Sequence, residues 1–161
     1  MTCKRWCLIT AALLALTALL TVLTVVIVDP FEIYHRALFY SPPYNSATQV
    51  YSNAGVARNF TYDSVIIGSS VTENCTPSVY DAALGGRFVK LCMNGGLSGD
   101  HARMMDAAFE HQEIRRVVYG LDLFAYSQYY SNLKAPMPEY LYDGSLLSDV
   151  AYWFNRDVLF S

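Results

Sequence analysis

Three short clusters hold the residues best suited to chemistry in this 161-residue chain. They are Gly68-Ser69-Ser70, Asn94-Gly95-Gly96-Leu97-Ser98-Gly99 and Gly120-Leu121-Asp122. A serine in a tight strand-to-helix turn is held with its hydroxyl exposed, near the positive end of the following helix. A glycine in a neighbouring loop lets a backbone N–H approach a developing oxyanion with no side chain in the way. Together these make two parts of an acyl-transfer site. Nothing in the sequence asks for a cofactor or a metal.

Each cluster follows a run that reads as a strand. Tyr62-Asp63-Ser64-Val65-Ile66-Ile67-Gly68 is β-branched and ends in glycine, as suits a strand buried on both faces. Phe88-Val89-Lys90-Leu91-Cys92-Met93 and Arg115-Arg116-Val117-Val118-Tyr119-Gly120 are the second and third. Between the first two, Thr76-Pro77 opens a helix that runs through Leu84 and stops at Gly85-Gly86. Between the last two, residues 100–112 form a helix with an acid at its start and an apolar face of Met104, Met105, Ala108 and Phe109. This alternation predicts an α/β fold, a parallel sheet with helices on both faces. Ligands of such sheets bind outside the carboxyl ends of the strands, where the three clusters lie. Beyond Asp122 the chain is tyrosine-rich and irregular, with a helix expected over residues 146–155.

Val65-Ile66-Ile67-Gly68-Ser69-Ser70-Val71-Thr72 resembles the first block of the SGNH (GDSL-type) hydrolases, where a strand ends in Gly-Asp-Ser. The resemblance implies that Ser70 is the nucleophile, with Ser69 in place of the usual aspartate. Gly-Ser-Ser here is also similar to membrane-anchored D-alanyl transfer proteins of teichoic-acid modification. Asn94 to Asp100 resembles the second block, which implies an oxyanion-hole N–H from Gly99. Val117-Val118-Tyr119-Gly120-Leu121-Asp122 occupies the place of the third block, Gly-x-Asn, so Asp122 stands where a side-chain donor is expected. The stretch 62–142 is similar to membrane-anchored proteins of Gram-positive gut bacteria. The resemblance implies a partial three-layer α/β/α domain over 61–161. It would act as an esterase or O-acyltransferase on acylated cell-envelope polysaccharide.

Two departures bear on activity. An ionised Asp122 accepts hydrogen bonds but donates none, and facing an oxyanion it would repel it. It would then have to be protonated, point away, or cap the loop after its strand. The family's base is a histidine in Asp-x-x-His, and none of the three histidines, His35, His101 and His111, sits in that motif. His101 opens the helix after the second cluster, where it is either a base near Ser70 or a first-turn surface residue. The end of the chain reads as a domain interrupted before its last strands and helices, so the stretch alone is expected to be inactive or nearly so.

The elements must also be placed in the cell. Residues 6–28 carry no charge and are rich in Leu, Val, Ala and Thr, enough for a helix of roughly 34 Å across a hydrocarbon core of about 30 Å. Threonine hydroxyls in such a helix can bond back to its own carbonyls. A cleaved signal peptide is the alternative, but bulky Val25-Val26-Ile27-Val28 fill positions that should be small. Lys4 and Arg5 precede the run and Asp29 and Glu32 come after it, which predicts a cytoplasmic tail over 1–5 and an extracytoplasmic domain. Residues 29–60, with Ser41-Pro42-Pro43-Tyr44-Asn45, read as a connector.

A net charge of −3 gives no basis for nucleic-acid binding. Cys75 and Cys92 could pair in an oxidising compartment or remain buried thiols; spacing alone does not bring them together. Tyrosines 126, 129, 130, 140 and 142 suit either stacking on sugar rings or packing between core and surface. Asn59-Phe60-Thr61 and Asn74-Cys75-Thr76 match the glycosylation pattern, which chance also explains. Glu73 could be an acid or base, or a carboxylate at a helix start. The sequence leaves two functional classes: an anchored acyl-transfer enzyme, or a non-catalytic envelope protein that binds glycans or is degenerate.

Overall fold

Val65, Ile66 and Ile67 favour extended backbone because their branched side chains restrict rotation at χ1, and all three are fully buried. Removing each from water contributes about 1.5–3 kcal/mol. They form the middle of strand β1 (Ser64–Gly68), which lies between β2 (Phe88–Cys92) and β3 (Arg116–Tyr119) in a parallel sheet of order β2-β1-β3. Ser64 stands opposite both Phe88 and Arg116, while Gly68 faces Cys92 and Ile67 faces Tyr119. The computed structural model describes residues 3–42, 48–131, 137–143, 145 and 147–160.

Parallel neighbours need crossover connections. Helix α3 (Pro77–Leu84) links β1 to β2, and a later helix, α4 (Ser98–His111), carries the chain back past β1 to β3. The two crossovers run in opposite directions, so a single handedness puts their helices on opposite faces. Burial agrees with this. Val65 and Ile67 pack with Leu91, Met104, Ala107 and Ala108, whereas Ile66 packs with Phe88 and Cys92, against which Tyr80 of α3 lies. The fold is thus mixed α/β with a parallel sheet, as the alternation predicts.

The segment read as a connector is different in the structure. Residues 49–59 form helix α2 (Gln49–Asn59), whose Ala57 joins the core beneath Tyr62 and whose Tyr51 and Ala54 join a second cluster. Buried Gln49 and Asn53 interrupt its apolar stripe, which is why its pattern reads as polar. Upstream, Asp29 and Glu32 adopt left-handed backbone conformations, φ 47° and 56°. Asp29 offsets that strain by accepting from the backbone N–H groups of Ile33, Tyr34 and His35 at 2.7–2.9 Å. The turn expected over 41–45 falls mostly outside the described residues.

Helix α1 (Cys3–Val28) is long and apolar enough to cross a membrane, and only 6% of its most apolar window is covered by protein. A core helix of that hydropathy would be enclosed. Thr17, Thr21 and Thr24 donate to the carbonyls of Leu14, Thr17 and Leu20 at 2.9–3.0 Å, so these three hydroxyls have acceptors within the helix itself. Its last turn is built into the domain: Val25 is buried with Phe31, Ile33, Tyr51, Tyr152 and Val158.

After β3 the chain makes the short helices α5 (Gln128–Ser131), α6 (Val150–Trp153) and α7 (Arg156–Leu159). The helix expected over 146–155 is shorter, and Leu146 lies outside the described residues. Asn155 breaks it, because its side chain accepts from Asp157 N–H at 2.8 Å and so caps the next helix. Cys75 and Cys92 are free thiols; burial pushes the Cys92 thiol up to about 12.

Candidate functional site

Sheets of this strand order bind ligands where the chain leaves a central strand for opposite faces, here between the carboxyl ends of β1 and β3. Ser69 and Asp122 meet there. Ser69 is fully buried and donates its hydroxyl hydrogen to the Asp122 carboxylate. Its backbone carbonyl accepts from Glu73 N–H at 3.2 Å, which folds the turn back on itself. Ser70, the next residue, is exposed on that turn.

Asp122 therefore neither caps the loop after β3 with its side chain nor stands unengaged. It ties the third cluster to the first. Between them Thr72 fills the gap: a side chain on Gly68 or on Gly120 would run into it, so both strand ends must be glycine for the buried Thr72 to seat. Sequence reasoning missed Thr72, whose type carries no signal; only the two glycines hint at a close approach.

Ser98 and Gly99, read as loop, lie in the first turn of α4, because Asp100 accepts from Leu97 N–H at 2.8 Å and starts the helix earlier. First-turn N–H groups have no intrahelical acceptor, so Gly99 still presents its amide at the positive end of the dipole. Gly99 is exposed and a Cβ there would meet nothing within 4 Å. Ser70 and Gly99 thus stand on the same rim, after the carboxyl ends of neighbouring parallel strands.

Gln49 was also missed, since it falls in the supposed connector. It is buried, donates to Glu73 Oε1 at 2.8 Å and accepts from Asn94 N–H at 2.7 Å. The first residue of α2 so joins the loop after β1 to the loop after β2. Glu73, with its carboxylate accepting from Gln49, is part of this scaffold.

His101 is neither a surface residue nor aimed at the solvent side of the rim. It is fully buried; Nδ1 lies 3.0 Å from the Tyr119 hydroxyl, and Nε2 sits so close to Gly96 that a Cβ there would be 2.7 Å away. Tyr119 in turn pairs with Tyr126 at 2.9 Å. Burial, then the Tyr126 contact, pushes the Tyr119 phenol up to about 12, so it stays protonated. Among the described residues no histidine is hydrogen-bonded to Ser70: His111 is exposed at the far end of α4, and His35 bonds to backbone near α1.

The tyrosines divide in use. Tyr142 donates to Val50 O at 3.1 Å and Tyr140 accepts from Asn155, both packing roles, while Tyr126, Tyr129 and Tyr130 are exposed. Asn59 spends its amide on the carbonyls of Glu32 and Ile33. No family model, no curated protein and no solved structure matches the chain.

Proposed function

We propose that this chain is a membrane-anchored, SGNH-like esterase or O-acyltransferase that works on cell-envelope polymers from the extracytoplasmic side. One observation carries the reading: an exposed Ser70 on a turn at the sheet's switch point, on one rim with the Gly99 amide. Ser70 Oγ attacks the acyl carbonyl carbon, its proton passes to a base, and the ester C–O bond breaks as the leaving alcohol takes a proton. The Gly99 and Ser70 N–H groups hold the oxyanion. Asp122, engaged by Ser69, acts on the position of the turn. No histidine among the described residues is bonded to Ser70, so the rate of this chain is expected to be low, though above that of Ser70→Ala.

Anchoring rests on α1. A helix whose last turn is packed into the core with Tyr152 and Val158 is retained rather than removed as a leader. Lys4 and Arg5 at its start support a cytoplasmic amino terminus. The test uses the full chain in detergent micelles or nanodiscs, because the domain core includes α1. Hydrolysis of an activated acetyl ester is compared between the natural chain and Ser70→Ala. Loss of rate supports Ser70 as nucleophile; equal rates remove it.

A second reading, a non-catalytic glycan-binding envelope protein, is favoured by the enclosed His101 and by exposed Tyr126, Tyr129 and Tyr130 just beyond the rim. It expects polysaccharide binding in calorimetry that Ser70→Ala leaves intact and Tyr129→Ala weakens.

A further inference from the structure

We infer that α1 is not the domain's sole membrane contact: residues 38–40 and 158–160 form an apolar collar around its exit, inserted in the leaflet on the domain's side. The inference rests on the reading of α1 as a membrane span.

The argument is one of depth. Val158 and Leu159 of α7 line a groove of about 490 Å³ whose other wall is Thr17, Leu20, Thr21, Thr24, Val25 and Val28 of α1. Leu20 lies eight residues before Val28, hence about 12 Å along the helix axis. One leaflet of hydrocarbon is about 15 Å deep. A segment that shares a groove with this stretch of a spanning helix is itself at the level of the acyl chains. The order of residues suits such an entry. Polar Asn155, Arg156 and Asp157 come first, then Val158, Leu159 and Phe160, of which Phe160 is 83% exposed.

A second segment is tied to the end of the span. Tyr40 donates to the carbonyls of Val28 and Asp29 at 2.9 and 2.7 Å, which pins residues 38–40 to the end of α1. Leu38 and Phe39 beside it are about 70% exposed. Large apolar side chains exposed on two segments that both touch a helix exit are continuous with the lipid-facing surface of that helix. Trp153 donates to the Tyr34 hydroxyl at 2.8 Å, a pair of the kind that suits a membrane interface. The occupant that fits is lipid acyl chain, and its consequence is a domain seated on the bilayer at a fixed angle rather than swinging on a tether.

The experiment is depth-dependent quenching in the full chain, reconstituted in phosphatidylcholine vesicles with or without bromine on the acyl chains. Single-tryptophan chains are made on a Trp6→Phe, Trp153→Phe background: Phe160→Trp and Phe39→Trp for the collar, Leu20→Trp for the span, and Leu84→Trp on exposed α3 as the aqueous reference. Phe160→Trp and Phe39→Trp are expected to lose most of their emission in brominated lipid, as Leu20→Trp does, while Leu84→Trp keeps its own. Quenching of Leu20→Trp with neither collar position quenched overturns the collar and leaves the anchor. That holds whether their emission is red-shifted, in water, or blue-shifted, under a second protein chain. An unquenched Leu20→Trp overturns the anchor and the collar together.

Discussion

Ser69 and Asp122 are 53 residues apart in the chain, yet the hydroxyl of one is bonded to the carboxylate of the other, joining the ends of β1 and β3. The bond fixes the turn that carries Ser70. Ser69→Ala leaves the partly buried carboxylate without this donor, and a hydrogen bond to a charged group contributes about 1.5–3 kcal/mol. Urea unfolding of the full chain in micelles should show a loss of that size, and Ser70→Ala, at an exposed position, almost none.

Asp122→Asn tests the electrostatics of the proposed site. The amide keeps an acceptor for Ser69 and adds an N–H donor where the carboxylate has none. One oxyanion donor accounts for about a hundredfold or more in rate, so acetyl-ester hydrolysis should rise in Asp122→Asn rather than fall. A rate lowered in step with Ser70→Ala would show that the carboxylate itself takes part.

The joint between α1 and the domain depends on close backbone contact. A Cβ on Gly55 would collide with the carbonyl of Phe31 and stand 2.8 Å from that of Glu32. Asp29, fully buried, accepts from three backbone N–H groups and from Tyr152. Gly55→Ala and Asp29→Ala should each cost about 2–4 kcal/mol, read as a lowered Tm of the full chain. Protease cleavage after residue 30 should become faster in both.

His35 makes stability depend on pH. Nδ1 and Nε2 each lie 2.9 Å from a carbonyl oxygen, Arg36 O and Val26 O, and only the doubly protonated ring can donate to both. The Arg36 carbonyl contact chiefly holds its pKa above the ordinary 6.5. Because the folded value is the higher one, the stabilisation is complete below about pH 6.5 and is lost as pH rises through the folded pKa. Tm should fall from pH 6 to pH 8, with a shallower slope in His35→Gln, and an NMR titration of the His35 ring should end above that of a free imidazole.

Local chemistry in the sequence was sufficient for the three strands, for α3 and for α1. Unbroken β-branched runs, Pro77 at a helix start, Gly85 at φ 70° after its end, and a charge-free apolar run each act within a few neighbours. That the clusters holding Ser70, Gly99 and Asp122 follow the carboxyl ends of three parallel strands was legible too, because a parallel sheet puts every such end on one side. Tertiary structure alone decided what those residues touch. Asp122 turns to Ser69, Thr72 wedges between Gly68 and Gly120, and His101 turns inward to Tyr119. It also decided that residues 49–59 are a core helix, since Gln49 and Asn53 look polar until Glu73, Asn94 and the Cys92 carbonyl arrive to pair with them. A polar residue's partner is set by chain segments dozens of positions away, and periodicity along one segment carries no record of them.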